Sequence, residues 1–196
     1  MKRIIALTLM GSLLAFAGSA MAAPEWQFDP NHGEIVFKVQ HVLGFVSGVF
    51  EKYNGTVRFD PNDLAGSSID VTIEVDSLNT RVSKRDNHLR SKDFFEVKKY
   101  PTIKFVSNEI RNTGGNQYVA KGLLTMKDVS KTIELPFTFL GIVDNPFEKR
   151  QEIAGFDARH RLDRLEYNVG DGKYYKQGVV GKDVEISLRF EMLRKK

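Results

Sequence analysis

Arg85-Asp86-Asn87-His88-Leu89-Arg90-Ser91-Lys92-Asp93-Phe94-Phe95-Glu96-Val97-Lys98-Lys99-Tyr100-Pro101-Thr102-Ile103-Lys104-Phe105-Val106-Ser107 is the stretch on which the fold turns. It is the one long piece that does not alternate apolar and polar residues. Ser83 followed by Asp86 reads as a capping box, with Asp in place of Glu or Gln, and predicts one short helix over roughly 84–91. Pro101 disfavours helix at Tyr100, and strand alternation resumes at Ile103, Phe105 and Ser107. A single helix between two strand-rich halves predicts a barrel with one end covered. Lys84, Arg85, His88 and Arg90 make that cover cationic.

Outward from the helix, the pattern has a period of two. Ile69, Val71, Ile73 and Val75 oppose Asp70, Thr72, Glu74 and Asp76. Earlier, Ile35, Phe37, Val39 and His41 share a face; later, so do Ile133, Leu135, Phe137 and Phe139. Pro136 argues for an edge or a bulge there. Ala154, Phe156, Ala158, His160 and Leu162 form the next apolar face, and Val184, Ile186, Leu188, Phe190 and Met192 the last. Asn54-Gly55 reads as a tight turn or a bulge inside a long strand. Residues 112–116 and Lys127-Asp128 read as turns, and residues 168–177 as a Gly- and Tyr-rich loop. About eight strands with short turns predict an all-β, up-and-down antiparallel barrel. Such a barrel either fills its centre or encloses one small ligand, and the 14 Phe suit both.

The chain has 196 residues, no Cys and a formal charge of +4. Lys2 and Arg3, the apolar run Ile4 to Ala17, and Ala20-Met21-Ala22 read as a signal peptide cleaved after Ala22. Residues 1–22 are therefore expected to be removed, residues 23–196 to form one domain, and the product to be periplasmic. No later run is long enough for a transmembrane helix. Loss of Lys2 and Arg3 leaves a near-neutral chain with no electrostatic case for nucleic acid. Missing Cys excludes disulfides and thiol chemistry.

The four histidines show no paired metal spacing, and no metal or cofactor is expected. No nucleophile elbow or phosphate loop is present, and no carboxylate pair stands out, so the reading is not an enzyme. His41 with His160 is the one pair the pattern offers for acid–base work. Arg81, Arg85 and His88 stand at i, i+4 and i+7, one face if the helix extends back a turn. With His41 and His160 they are the candidate contacts for a ligand head group.

The motif Arg85-Asp86-x-His88-Leu89-Arg90-Ser91-x-Asp93-Phe94-Phe95, then Tyr100-Pro101-x-Ile103-x-Phe105-x-Ser107, resembles the YceI-like family of exported, lipocalin-like barrels that bind polyisoprenoids. Val39-x-His41, Gly48-x-Phe50, Gly55-Thr56-Val57-x-Phe59-Asp60, Gly122-x-Leu124-Thr125 with Val129-x-Lys131, Arg164 to Gly170, and Val180-Gly181-x-Asp183-Val184 extend the likeness over the mature chain. Asp128 departs from it, standing where the family usually has Gly. The resemblance implies an extended eight-stranded lipocalin-like barrel, a periplasmic location and an apolar tunnel for an isoprenoid quinone or another amphiphile with a long prenyl or acyl chain. Phe37, Val39, Phe59, Val71, Ile73, Phe105, Phe137, Phe139, Phe156, Ile186 and Leu188 are the expected lining. A homodimer is compatible with this reading. The rival readings are an enzyme acting on a lipid in the same cavity and a protein-binding module with a filled barrel.

Overall fold

Residues 22–196 are described by the computed structural model, so the signal-peptide reading of residues 1–22 falls, Ala22 apart, outside the described residues. The alternating stretches form strands β1 (Glu25–His41), β2 (Gly44–Phe50), β3 (Tyr53–Arg58), β4 (Ser68–Glu74) and β5 (Leu78–Asn79). Helix α1 (Ser83–Arg90) follows, then β6 (Thr102–Gly114), β7 (Gln117–Met126), β8 (Val129–Asp144) and β9 (Gln151–Asp163). A 3₁₀ turn at Arg164–Tyr167 and the one-turn helix α2 (Lys173–Lys176) lead to β10 (Val180–Lys195). β2 and β3 are two halves of one strand position, as are β4 and β5. Counted so, eight antiparallel strands follow one another around the sheet, and β10 closes it on β1. Closure removes free edges except where β8 and β9 part near the end that α1 covers. No helix among the described residues is long and apolar enough to cross a membrane.

Side chains on the inner faces meet as period-two packing requires. At the end away from α1, Phe59 packs edge-on against Tyr118, Phe137 and Phe156, and tilted against Phe139, with centroids 5.0–5.6 Å apart. Trp26 donates its indole N–H to the Phe59 carbonyl at 2.9 Å. This aromatic plug shuts that end of the barrel.

Two features differ from the sequence reading. Asn54-Gly55 is neither a turn nor a bulge; both residues lie inside β3, in unbroken register with β4. Gly55 is required because β4 runs so close that a Cβ would overlap the Asp70 carbonyl oxygen, and because its φ is +150°. Gly55→Ala is therefore expected to cost about 3 kcal/mol of stability, measured by urea denaturation. The capping box is absent as well. Val82 is the residue before the helix, and no side chain caps it. Asp86 instead turns inward and is buried, accepting from the backbone N–H (2.9 Å) and the hydroxyl of Thr80.

Pro136 does mark an edge. The β8–β9 ladder stops at Phe137–Ala158, so Val129 to Pro136 hydrogen-bond to β7 alone. Proline lacks the N–H that a neighbour on the other side would need.

Candidate functional site

Inside the barrel lies a chamber of about 180 Å³. Phe105 and Val71 with Ile73 line one wall, and Phe156, Ile186 and Leu188 the opposite one, with Phe59 and Phe137 at its plugged end. A second cavity of about 90 Å³ sits under the helical cap, where Phe37, Val39, Leu89, Phe94 and Val180 face it. Phe50, Ile103, Met126, Leu162 and Ile186 border both spaces and form the waist between them. Phe139 borders neither; it stands one row further out, in the aromatic plug.

Among the described residues, His160 is the only ionisable side chain on the chamber wall. It lies near the seam where β8 and β9 part, with half-buried Ile133, Leu135 and Leu162 also on that wall. Burial holds its pKa below the ordinary imidazole value. The unfolded chain therefore takes up the proton first as pH falls through about 6.5, and native stability declines until the folded-state pKa is passed. His160→Leu is expected to flatten that component, seen as a smaller difference in denaturation free energy between about pH 7.5 and pH 5.

The other candidate head-group residues do not face the cavity. Arg85 donates Nε to the Thr80 hydroxyl and Nη2 to the Thr80 carbonyl, both at 2.7 Å. His88 pairs with Asp93 at 3.1 Å and packs edge-on against Phe94 and Tyr174. Arg81 has a left-handed backbone (φ +66°), lies outside the helix and is exposed. His41 is exposed at the end of β1. Its strand partner is Val180, whereas that of His160 is Ile186, so the two imidazoles are roughly 20 Å apart along β10. The acid–base pair is not formed. The cation cluster was legible in sequence; the fold shows that Thr80 and Asp93, close by in the chain, engage Arg85 and His88.

The side chain missed in sequence is Arg164. It is 5 % exposed, borders the smaller cavity and lies 5.7 Å from the centre of the Phe94 ring. Its guanidinium donates to the carbonyls of Gly181 (2.8 Å), Val169 (2.6 Å) and Val180 (3.4 Å). Burial lowers its pKa. Three neutral acceptors thus hold a buried cation beside an apolar space. The same loop is fastened from below by Lys127, which donates to the Phe94 and Asn168 carbonyls at 3.0 and 2.7 Å. Asp128, the departure noted above, accepts from Asn168 at 3.1 Å. Phe94 and Tyr174 stack with planes 7° apart. Together α1, the loop after it and the 164–178 segment make a firm lid.

A closed antiparallel barrel around a greasy chamber, lidded at one end and plugged at the other, defines a lipocalin-like binding fold. The YceI-like domain model matches residues 26–192, and the chain belongs to that family. A UPF0312 protein of Pectobacterium atrosepticum is 33% identical over 100% of this chain and 98% of its own length. Another, from Photorhabdus laumondii, is 36% identical over 85% of this chain and 86% of its own. Among solved structures, Burkholderia cenocepacia BcnA superposes with a TM-score of 0.74 at 27% identity, covering 86% of this chain and 99% of BcnA. A polyisoprenoid-binding domain from Saccharophagus degradans shares the fold at a TM-score of 0.62 and 12% identity, covering 87% and 98%.

Proposed function

We propose that this protein is exported to the periplasm and holds a polyisoprenoid or similar amphiphilic lipid for carriage or sequestration. The observation that carries the reading is the two-part cavity, whose walls are hydrocarbon and aromatic but for His160 and Arg164. Burying a chain there is worth about 0.8 kcal/mol per methylene removed from water. The tail occupies the chamber. A quinone, hydroxyl or phosphate head lies in the smaller cavity, within reach of Arg164, whose planar fork keeps N–H groups beyond those bound to carbonyls. The Saccharophagus domain binds a polyisoprenoid, although at 12% identity that likeness speaks for the fold alone. The signal-like residues 1–22 support export.

Binding is favoured over catalysis because His160 has no hydrogen-bonded partner among the described side chains that would make it an acid–base group. A protein module with a filled barrel does not suit the chamber. Organic extraction of the protein purified from the periplasm, followed by mass spectrometry, tests the reading. The expected result is a near-stoichiometric lipid with a long prenyl or acyl chain, on a polypeptide beginning at Ala23. Protein that yields no lipid and takes up none when offered a polyprenol would overturn it.

A further inference from the structure

The reversal between β1 and β2 is built from residues that a plain turn avoids. Two-residue hairpin loops favour Asn-Gly or Asp-Gly, because a positive φ is easy for those residues and costly for a β-branched one. Here the loop is Val42-Leu43, bracketed by the His41–Gly44 pair, and Val42 adopts φ +50°. Val42 is 50 %, Leu43 99 % and Phe45 63 % exposed. Lys38 Nζ lies 4.2 Å from the centre of the Phe45 ring, so even this outward aromatic is framed by a cation. Neither chain reversal nor solubility accounts for three apolar side chains at this place.

The surroundings point to what they meet. Val42 N–H donates to the Val179 carbonyl at 3.0 Å, which ties the tip to the loop after α2, the helix on which Lys173 and Lys176 are exposed. On the other side β2 pairs with Leu78–Asn79, and the chain continues from there into exposed Arg81, Val82 and Lys84. Carboxylates on the strands below are already engaged: Glu185 with Lys38 at 3.6 Å and Asp183 with Arg161 at 2.9 Å. Val39, leading into the tip, and Val180, just after its anchor, both border the smaller cavity. The apolar tip therefore stands at the lidded end, beside the cavity and with exposed cations on the two chain segments that flank it.

We propose that the β1–β2 tip docks the protein on an anionic lipid bilayer, with Val42, Leu43 and Phe45 between the head groups and Arg81, Lys84, Lys173 and Lys176 on their phosphates. Apolar side chains at the hydrocarbon boundary with basic ones at head-group depth are what peripheral membrane contact requires. The inference is independent of the cargo; docking stands even if extraction finds no lipid. A second exposed apolar group, Val143 and Phe147 in the β8–β9 hairpin, lies at the plugged end with exposed Lys149 and Arg150 beside it, while Lys196 there is paired with Asp144 at 2.6 Å. It is the rival site against which the tip is tested.

Co-sedimentation of the purified, processed protein with phosphatidylcholine–phosphatidylglycerol vesicles, against phosphatidylcholine alone, tests the proposal. Leu43→Asp combined with Phe45→Ser is expected to lower binding about tenfold. Lys173→Glu with Lys176→Glu should abolish the preference for phosphatidylglycerol, and Val143→Asp with Phe147→Ser should change nothing. Thermal melts should be unaltered in the tip variant, because both side chains are exposed. The proposal is overturned if wild-type protein ignores both vesicles, if the tip variant still binds, or if the far-end variant loses binding instead. A dimer in lipid-free gel filtration that Leu43→Asp dissolves would also overturn it, assigning the tip to a second copy of the chain.

Discussion

Lipid co-purifying with the protein is expected to disappear in Ile73→Arg and to fall sharply in Leu188→Trp. Both positions face the chamber. The arginine places a charge where no counter-charge waits, and a lipid tail packed on it would cut the ion off from water. The tryptophan adds no charge; it simply occupies volume. Displacing three methylenes forfeits about 2.4 kcal/mol, a loss in affinity of roughly fiftyfold. Mass spectrometry of extracts, normalised to folded protein by circular dichroism, gives the measurement. The two substitutions act by different physics, so full retention in both folded variants would mean that the tail lies elsewhere.

The second large effect is on the lid. Arg164→Met keeps much of the side-chain volume but strips the donors from three carbonyls, those of Gly181, Val169 and Val180. Leaving such acceptors unmatched costs about 1–3 kcal/mol each before relaxation or solvation by water. A net loss of about 3 kcal/mol lowers the melting temperature by about 6–12 °C in a domain of this size. Arg164→Lys is expected to recover little, because one ammonium cannot reach acceptors spread around a planar fork. Protection of amides in residues 164–178 against hydrogen exchange should drop in both variants. Unchanged protection would show that the carbonyls are held by something other than this guanidinium.

How far the residues alone led depends on which interactions were local. Strands such as β4 announce themselves, because facing repeats every second residue whatever the partner strand, although the alternation runs on to Val75, which opens a 3₁₀ turn. The chain-order wrapping of the barrel follows from the short turns between them. Gly55 was ambiguous for the opposite reason. Asn-Gly is a common turn dipeptide, yet this glycine answers to the neighbouring strand's backbone at Asp70, which lies 15 residues on (70 − 55). The cationic helix was read correctly as a helix within a residue at each end, but its donors were offered to a ligand too readily. Thr80 and Asp93 sit just beyond its ends; Asp93 is an acid the sequence offers as a partner for these bases, whereas the folded chain alone shows Thr80 accepting from Arg85.

Arg164 was hidden among charged neighbours, Arg161 and Asp163, that do lie near the surface. The sequence offered one clue, the Arg164 to Gly170 element of the family likeness; in the fold Gly170 has φ +91°, and a Cβ there would overlap the Arg164 guanidinium. An arginine coupled to a small, left-handed residue is a packing signature that charge counting does not detect.

The stack of rings around Phe59 turns the barrel into a blind alley. In the proposed carrier, an amphiphile entering from the lidded side would go in tail first and come back out head first, presenting its polar group to whatever receives it. The depth of the alley would then act as a ruler: a chain that outgrows it would leave its head short of Arg164, and one that is too brief would rattle.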